Sequence, residues 1–142
     1  MTRRLRPGWL VALFALVTSA SAWLPWLTVR GGGWANAIGG AHGNLVLPPG
    51  FGAGQLIVLL SSALLVAGAM VGRGLSVRLA SVAALALSLL IVALTVWYYQ
   101  INVNPPVSAQ YGLYVGGAAA GAATLCSLAA VVATLAAGRR RR

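Results

Sequence analysis

Acidic side chains and lysine are entirely absent from this chain of 142 residues. Its ten basic residues are all arginines, and charged residues make up 7% of the chain, against roughly 25% in an ordinary soluble domain. Because a soluble protein needs a charged surface to stay dispersed, this composition excludes that class. The lack of carboxylates also excludes any mechanism that requires Asp or Glu from this chain.

Cysteine and histidine occur once each, as Cys126 and His42. One cysteine cannot form an intrachain disulfide, and one histidine without an acidic partner gives neither a metal cluster nor a catalytic pair. We therefore predict no cofactor, no metal site and no enzymatic activity. The hydroxyls inside the apolar segments can bond to their own helix backbone. They belong to Ser61, Ser62, Ser81, Ser88, Thr95, Thr124, Ser127 and Thr134.

Long uncharged segments separate the arginines, at residues 7–29, 31–72 and 79–138. An apolar run of about 18 residues or more without charge is typical of a bilayer span. Backbone groups in hydrocarbon must be satisfied within the segment, which favours helices. The sequence therefore predicts an all-α integral membrane four-helix bundle, a single domain over residues 1–142. The predicted spans are residues 9–28, 55–71, 79–99 and 111–137.

The arginines predict the orientation of these spans. Nine of the ten lie in the two tails and in the connection 72–78, and only Arg30 lies in the other connections. Because cytoplasmic segments are enriched in Lys and Arg, both termini are predicted to be cytoplasmic in a bacterial plasma membrane, with connections 29–54 and 100–110 outside. The nine are Arg3, Arg4, Arg6, Arg73, Arg78, Arg139, Arg140, Arg141 and Arg142. Arginines grouped in this way favour anionic lipid headgroups over nucleic acid as partners.

Aromatic residues at the predicted outer ends of the spans support the same orientation. Indole and phenol rings prefer the headgroup level, so these residues are predicted anchors. They are Trp23, Trp26, Trp97, Tyr98 and Tyr99. Residues 19–22 resemble a signal-peptide cleavage site, but the apolar run continues through residues 23–27, which favours an uncleaved span.

Glycines at four-residue spacing form stripes on two of the predicted helices. Residues four apart share a helix face, and small residues let helices approach closely inside a bilayer. The pairs are Gly68 with Gly72, Gly112 with Gly116, and Gly117 with Gly121. Two interpretations stay open, namely packing within the bundle and a groove for a partner or a second copy.

The first outer connection is long and rich in glycine, and a loop of this length is usually functional or disordered. Its few distinctive side chains, Arg30, Trp34 and His42, are candidate contacts to the extracytoplasmic part of a partner. The proline pairs at 48–49 and 105–106 are each followed by an aromatic–glycine step and a predicted helix. This pattern indicates either a duplicated helical hairpin or the ordinary use of Pro and Gly before a span.

Residues 23–29 (WLPWLTV), the glycine-rich outer connection and residues 111–117 (YGLYVGG) carry a family resemblance. The chain resembles small actinobacterial integral membrane proteins of unknown function, with a four-helix layout similar to that of the tryptophan-associated membrane proteins. A claudin-like layout is similar too, but the paired loop cysteines of that family are missing here. The resemblance implies four spans and carries over no functional residue.

Three functions fit these features. The first is an accessory, scaffold or assembly subunit of a larger membrane complex, which needs only helix faces and an exposed connection. The second is a small oligomeric transporter or channel for a neutral solute, because the spans contain no ionisable path. The third is a holin-like permeabilising protein, which the small size and the terminal arginines fit.

Overall fold

The computed structural model describes residues 7–43, 52–103, 105 and 107–142. Within them lie four helices, α1 (Pro7–Ser21), α2 (Ala53–Arg73), α3 (Val77–Asn102) and α4 (Tyr111–Arg140). Helices α1 and α3 each pack against both α2 and α4, which gives a four-cornered bundle. The second, third and fourth helices are long and apolar enough to cross a membrane, and they contain the predicted spans 55–71, 79–99 and 111–137. The mostly helical membrane protein predicted from the sequence is confirmed.

The predicted first span, residues 9–28, is wrong as a continuous helix. The helix α1 has 15 residues, so it is about 22 Å long, against about 30 Å for the hydrocarbon core of a bilayer. Pro25 has no N–H and disfavours helical geometry at Leu24, so the helix cannot continue through it. The helix ends in a tighter turn instead. The N–H groups of residues 22, 23 and 24 donate hydrogen bonds to the carbonyls three residues earlier, at 3.3, 3.2 and 3.0 Å.

A small antiparallel sheet at one end of the bundle corrects the all-α prediction. Its strands are β1 (Pro25–Val29), β2 (Gly33–Asn36), β3 (Ala41–His42) and β4 (Val107–Ala109), in the order β3-β2-β1-β4. The first three belong to the α1–α2 connection and β4 belongs to the α3–α4 connection, so the sheet joins both. We call this sheet the cap. Strands of two to five residues are too short for hydrophobic periodicity to reveal.

The turn between β1 and β2 depends on two glycines. Gly31 and Gly32 have φ angles of 113° and 100°, which residues with a Cβ atom rarely adopt. They reverse the chain so that Val29 pairs with Gly33 and Thr28 pairs with Trp34. On the other side of β1, Leu27 pairs with Ala109 and Thr28 with Ser108.

The core runs from the inner face of the cap into the bundle. Leu27 and Ala35 are buried under the sheet, and Ile57 and Ile91 are fully buried between the helices. At the opposite end, three residues connect α2 to α3, and the left-handed Gly74 ends α2. We call this the arginine end, because it carries Arg73, Arg78 and the arginines that end α4.

The predicted hairpin duplication depends largely on residues outside the described part of the chain. Residues 48–51 and Pro106 lie there, so the comparison of the two proline pairs is not tested. In the described residues, β1 directly follows α1, whereas β4 directly precedes α4.

Candidate functional site

The outward face of the cap presents four side chains in one cross-strand row. Cross-strand pairing aligns His42 with Trp34, Trp34 with Thr28, and Thr28 with Ser108. The rings of Trp34 and His42 stack with centroids 4.4 Å apart and planes at 27°. His42 and Ser108 are exposed, and Trp34 and Thr28 are half-buried. The result is an aromatic platform that continues into two neutral hydroxyl groups.

Two of the three predicted contact residues of this region therefore touch each other. Trp34 and His42 form the stack, whereas Arg30 lies exposed in the turn between β1 and β2. Sequence reasoning missed Thr28 and Ser108. The signal that could have found them is the apolar–polar–apolar alternation of residues 27–29 and 107–109, which is typical of half-buried strands.

The cap is held on the helix ends by polar bonds and one close backbone contact. The Gln55 side chain accepts a bond from the Gly52 N–H at 2.9 Å and donates one to the Ile38 carbonyl at 2.9 Å. Gly54 lies directly against the Ala37 carbonyl, where a Cβ atom would collide. These contacts join the connection after β2 to the start of α2. The outward row therefore lies on a cap that is fixed to the helix ends.

Two of the predicted headgroup anchors are wrong, because Trp26 and Tyr98 lie inside the protein. They are 0% and 5% exposed, and their rings meet edge to face with centroids 5.2 Å apart. The Trp26 Nε1–H donates to the Ser21 carbonyl at 2.6 Å, whereas the Tyr98 hydroxyl is buried without a hydrogen-bond partner among the described residues. The helical run ends before Pro25, so Trp26 belongs to β1 and its ring enters the bundle from the cap.

The other predicted aromatic anchors are exposed at the cap end of the bundle. Trp23, Trp97 and Tyr99 are 66%, 54% and 44% exposed. Their positions agree with rings at a membrane surface.

The first pair of glycines packs α2 against α1, as one of the two interpretations predicts. A Cβ at Gly68 would lie 2.8 Å from the Ala12 amide nitrogen, and one at Gly72 would lie 2.7 Å from the Trp9 ring. The matching residue on α1 is Gly8, which contacts the backbone of Gly72 and which sequence reasoning missed. Its spacing of four from Ala12 is the signal that could have revealed it.

The two glycine pairs of α4 have different surroundings. Gly112 and Gly116 make room for Trp26, because a Cβ at either would lie 2.8 Å from that ring. A Cβ at Gly117 would meet only the Thr95 methyl at 3.7 Å, and one at Gly121 would meet nothing within 4 Å. Gly117 also lines an open apolar groove of about 270 Å³ between α3 and α4, beside Tyr99 and Tyr114. Gly112 and Gly116 thus pack the bundle, and Gly117 and Gly121 stay open on its surface.

The described arginines other than Arg30 share one end of the bundle. Arg73 and Arg78 flank the α2–α3 connection, and residues 139–142 end α4. The guanidinium of Arg78 lies against Gly138, which brings the start of α3 to the end of α4. Arg3, Arg4 and Arg6 lie outside the described residues.

The hydroxyls of the predicted spans are bonded as the sequence predicts, each to a carbonyl of its own helix. The distances are 2.7 Å for Ser61, 3.0 Å for Ser88 and 2.7 Å for Ser127, and the other five behave alike. Cys126 is half-buried on α4. Within the described residues no three His, Cys, Asp or Glu side chains come together as metal ligands.

Comparison with protein-family models, with curated proteins and with solved structures found no match for this chain. The resemblance to small actinobacterial four-span proteins therefore stays a prediction.

Proposed function

We propose that this chain is a multi-pass plasma-membrane protein that acts as an accessory, scaffold or assembly subunit of a larger membrane complex. The observation that carries the proposal is the outward row of the cap, His42–Trp34–Thr28–Ser108. Aromatic rings supply large contact area at low entropic cost, and neutral hydroxyls can bond a partner without desolvating a charge. A surface of this composition suits contact with another protein.

The interior of the bundle supports the same proposal. Its serine and threonine hydroxyls donate to their own helices, so they are not free to donate to a substrate. Ile57, Ile91 and Ala123 are fully buried and fill the space between the helices. Within the described residues, the groups available for recognition lie on the surface.

We further propose that the cap faces the outside of the cell and the arginine end faces the cytoplasm. The excess of arginine at one end supports this orientation, and the exposed aromatic rings of the cap end agree with a membrane surface there. The packing of α1 supports retention of the N-terminal segment, because Val11 and Ala15 are buried in the bundle core. Cleavage near residue 22 would remove that helix and expose the core.

Extraction in a mild detergent followed by native electrophoresis tests the proposed function. The tagged chain should migrate with a stoichiometric partner, and Ser108→Arg should release that partner because it places a charge at the exposed β4 end of the outward row. The control is Leu75→Arg, which adds the same charge at the exposed opposite end. A monodisperse species with the mass of this chain alone would contradict the proposal, as would equal loss of the partner in both variants.

A second candidate is an oligomeric transporter or channel for a neutral solute. The open surface at Gly117 and Gly121 favours it, because uncovered small residues permit a second copy to approach closely. Solute flux into proteoliposomes, with Gly121→Leu as the variant that blocks close approach, distinguishes this candidate from an accessory subunit. An accessory subunit should show no flux, and its partner should be retained in Gly121→Leu.

A further inference from the structure

An apolar groove opens at the arginine end, where all four helices meet. It has a volume of about 260 Å³ and is lined by Pro7 of α1, Val71 of α2, Val77 of α3, and Ala133 and Ala137 of α4. Beside it lies a small separate cluster in which Val71 packs with Ala80 and Ala130. The groove is therefore a gap between packed helices, with apolar walls and an open side.

Arginines at the start of α3 and at the end of α4 stand at the rim of this groove. Arg78 directly follows the lining residue Val77, and its guanidinium lies against Gly138, next to the lining residue Ala137. A Cβ at Gly138 would come within 2.5 Å of the Arg78 Nη2 atom, so the end of this flexible side chain lies close to the α4 backbone. Arg141, the C-cap residue of α4, has φ −90° and ψ −4° and is four residues after Ala137, and Arg140, the last helical residue, is seven residues after Ala133. Both positions therefore extend the stripe of α4 that lines the groove.

The charges of these arginines are not neutralised by side chains of this chain. The sequence contains no Asp or Glu, so no arginine can form a side-chain ion pair within it. Like charges from the start of α3 and the end of α4 are thus placed at one rim without an acidic side chain between them, an arrangement that an anion stabilises. The adjoining walls are apolar, which selects an anion that carries a hydrocarbon tail.

We propose that the groove binds one anionic phospholipid, with its phosphate on Arg78 and Arg141 and part of an acyl chain between the helix ends. Basic pockets between transmembrane helices bind such headgroups by the same combination of charge and shape. The site goes beyond the proposed function and holds whether or not the cap binds a partner. It also differs from diffuse attraction of a basic tail to a membrane, because only the arginines at the rim contribute.

Native mass spectrometry of the full-length protein with dioleoyl phosphatidylglycerol or dioleoyl phosphatidylcholine tests the proposal. The protein should retain one phosphatidylglycerol in preference to phosphatidylcholine. Arg78→Gln and Arg141→Gln should each reduce that preference about fivefold, the change expected for about 1 kcal/mol per arginine. The matched control is Arg139→Gln at the same helix end, two residues after Ala137 and hence on the other side of α4. It should change the preference less than twofold.

Two further measurements distinguish a site that holds a whole lipid from a site that binds any soluble anion. Glycerophosphoglycerol, the soluble headgroup, should not displace the bound lipid, and Ala133→Phe should abolish retention by filling the groove. If Ala133→Phe is not monodisperse on size exclusion, Ala133→Leu replaces it. The proposal is overturned if Arg139→Gln matches Arg78→Gln, if the headgroup alone competes, or if filling the groove has no effect.

Discussion

A single methyl group added at Gly116 should destabilise the protein, whereas the same methyl at Gly121 should stabilise it. Both glycines lie on α4, at positions that satisfy the same four-residue spacing rule. A Cβ at Gly116 would lie 2.6 Å from the Ser21 Oγ and 2.8 Å from the Trp26 ring, and at Gly121 it would meet nothing within 4 Å. Comparing the two variants therefore separates two contributions to stability. One is the higher helix propensity of alanine, and the other is the cost of placing a methyl group where the bundle has no room.

The neighbours of Gly116 cannot easily move away from an added methyl. The Ser21 Oγ donates to the Thr18 carbonyl at 2.6 Å, and the Trp26 Nε1–H donates to the Ser21 carbonyl at 2.6 Å. Overpacking costs about 1–3 kcal/mol, and a buried donor that loses its acceptor costs a similar amount. Alanine gains about 1 kcal/mol over glycine in a helix interior. The expected net effects are a loss of about 2 kcal/mol for Gly116→Ala and a gain of about 0.5–1 kcal/mol for Gly121→Ala.

The free energy of unfolding can be measured by titrating the detergent-solubilised protein with sodium dodecyl sulfate and following helicity by circular dichroism. Ser21→Ala provides the internal control, because it removes the hydroxyl that the new methyl would meet. In that background Gly116→Ala should cost about 1 kcal/mol less, since contacting residues couple by roughly 0.5–3 kcal/mol. The reasoning is refuted if Gly116→Ala is as stable as the natural chain, or if Gly121→Ala loses stability to the same extent.

Three further predictions concern the buried phenol, the cap turn and the orientation. Tyr98→Phe should raise the unfolding free energy by up to about 1 kcal/mol, because it removes a buried hydroxyl that has no partner among the described residues. A loss of stability in the same titration would indicate a bond that this hydroxyl makes. Gly32→Ala should cost about 1–2 kcal/mol at a φ of 100° and speed amide exchange in β1 and β2. Unchanged exchange would count against strain at that turn. In a Cys126→Ser background, an impermeant maleimide added to intact cells should label Ser108→Cys and spare Ser76→Cys. The reverse pattern would overturn the orientation.

The three long helices were predictable because their signal is a property of composition. Residues 55–71, 79–99 and 111–137 are apolar and uncharged over lengths that suit a bilayer, and backbone groups in hydrocarbon must bond within their own segment. No partner segment has to be known for this argument. The spacing of Gly68 and Gly72 likewise predicted a close helix contact, which the structure contains, whereas Gly112 and Gly116 make room for Trp26 of β1.

The cap was not predictable in the same way. Its strands are short, and β1 meets β4 across about 80 intervening residues. Residues 23–29 continue the apolar run of α1, so hydropathy assigns them to a span, and only Pro25 signals the break. The contacts that Trp26 makes depend on the chain leaving the helix before Pro25 and forming β1. The sequence could therefore place Trp26 at the end of the helix but could not assign its partner, Tyr98.

The candidate sites show the same division between composition and tertiary contact. Trp34 and His42 were recognisable as distinctive residues of a glycine-rich connection, but their alignment with Thr28 and Ser108 exists only because four strands pair in register. The same holds for the contact between Arg78 and Gly138, which lie 60 residues apart in the sequence.

The amino-acid sequence by itself determined that this is an apolar, helical chain without acidic groups and with its arginines grouped between spans. Those properties follow from composition and from contacts between residues near in sequence. The tertiary structure decided which glycines are covered, which aromatic rings are buried, and which arginines lie at the rim of a groove. Each of these depends on contacts between distant segments, whose energies are set by shape and distance after the helices have packed.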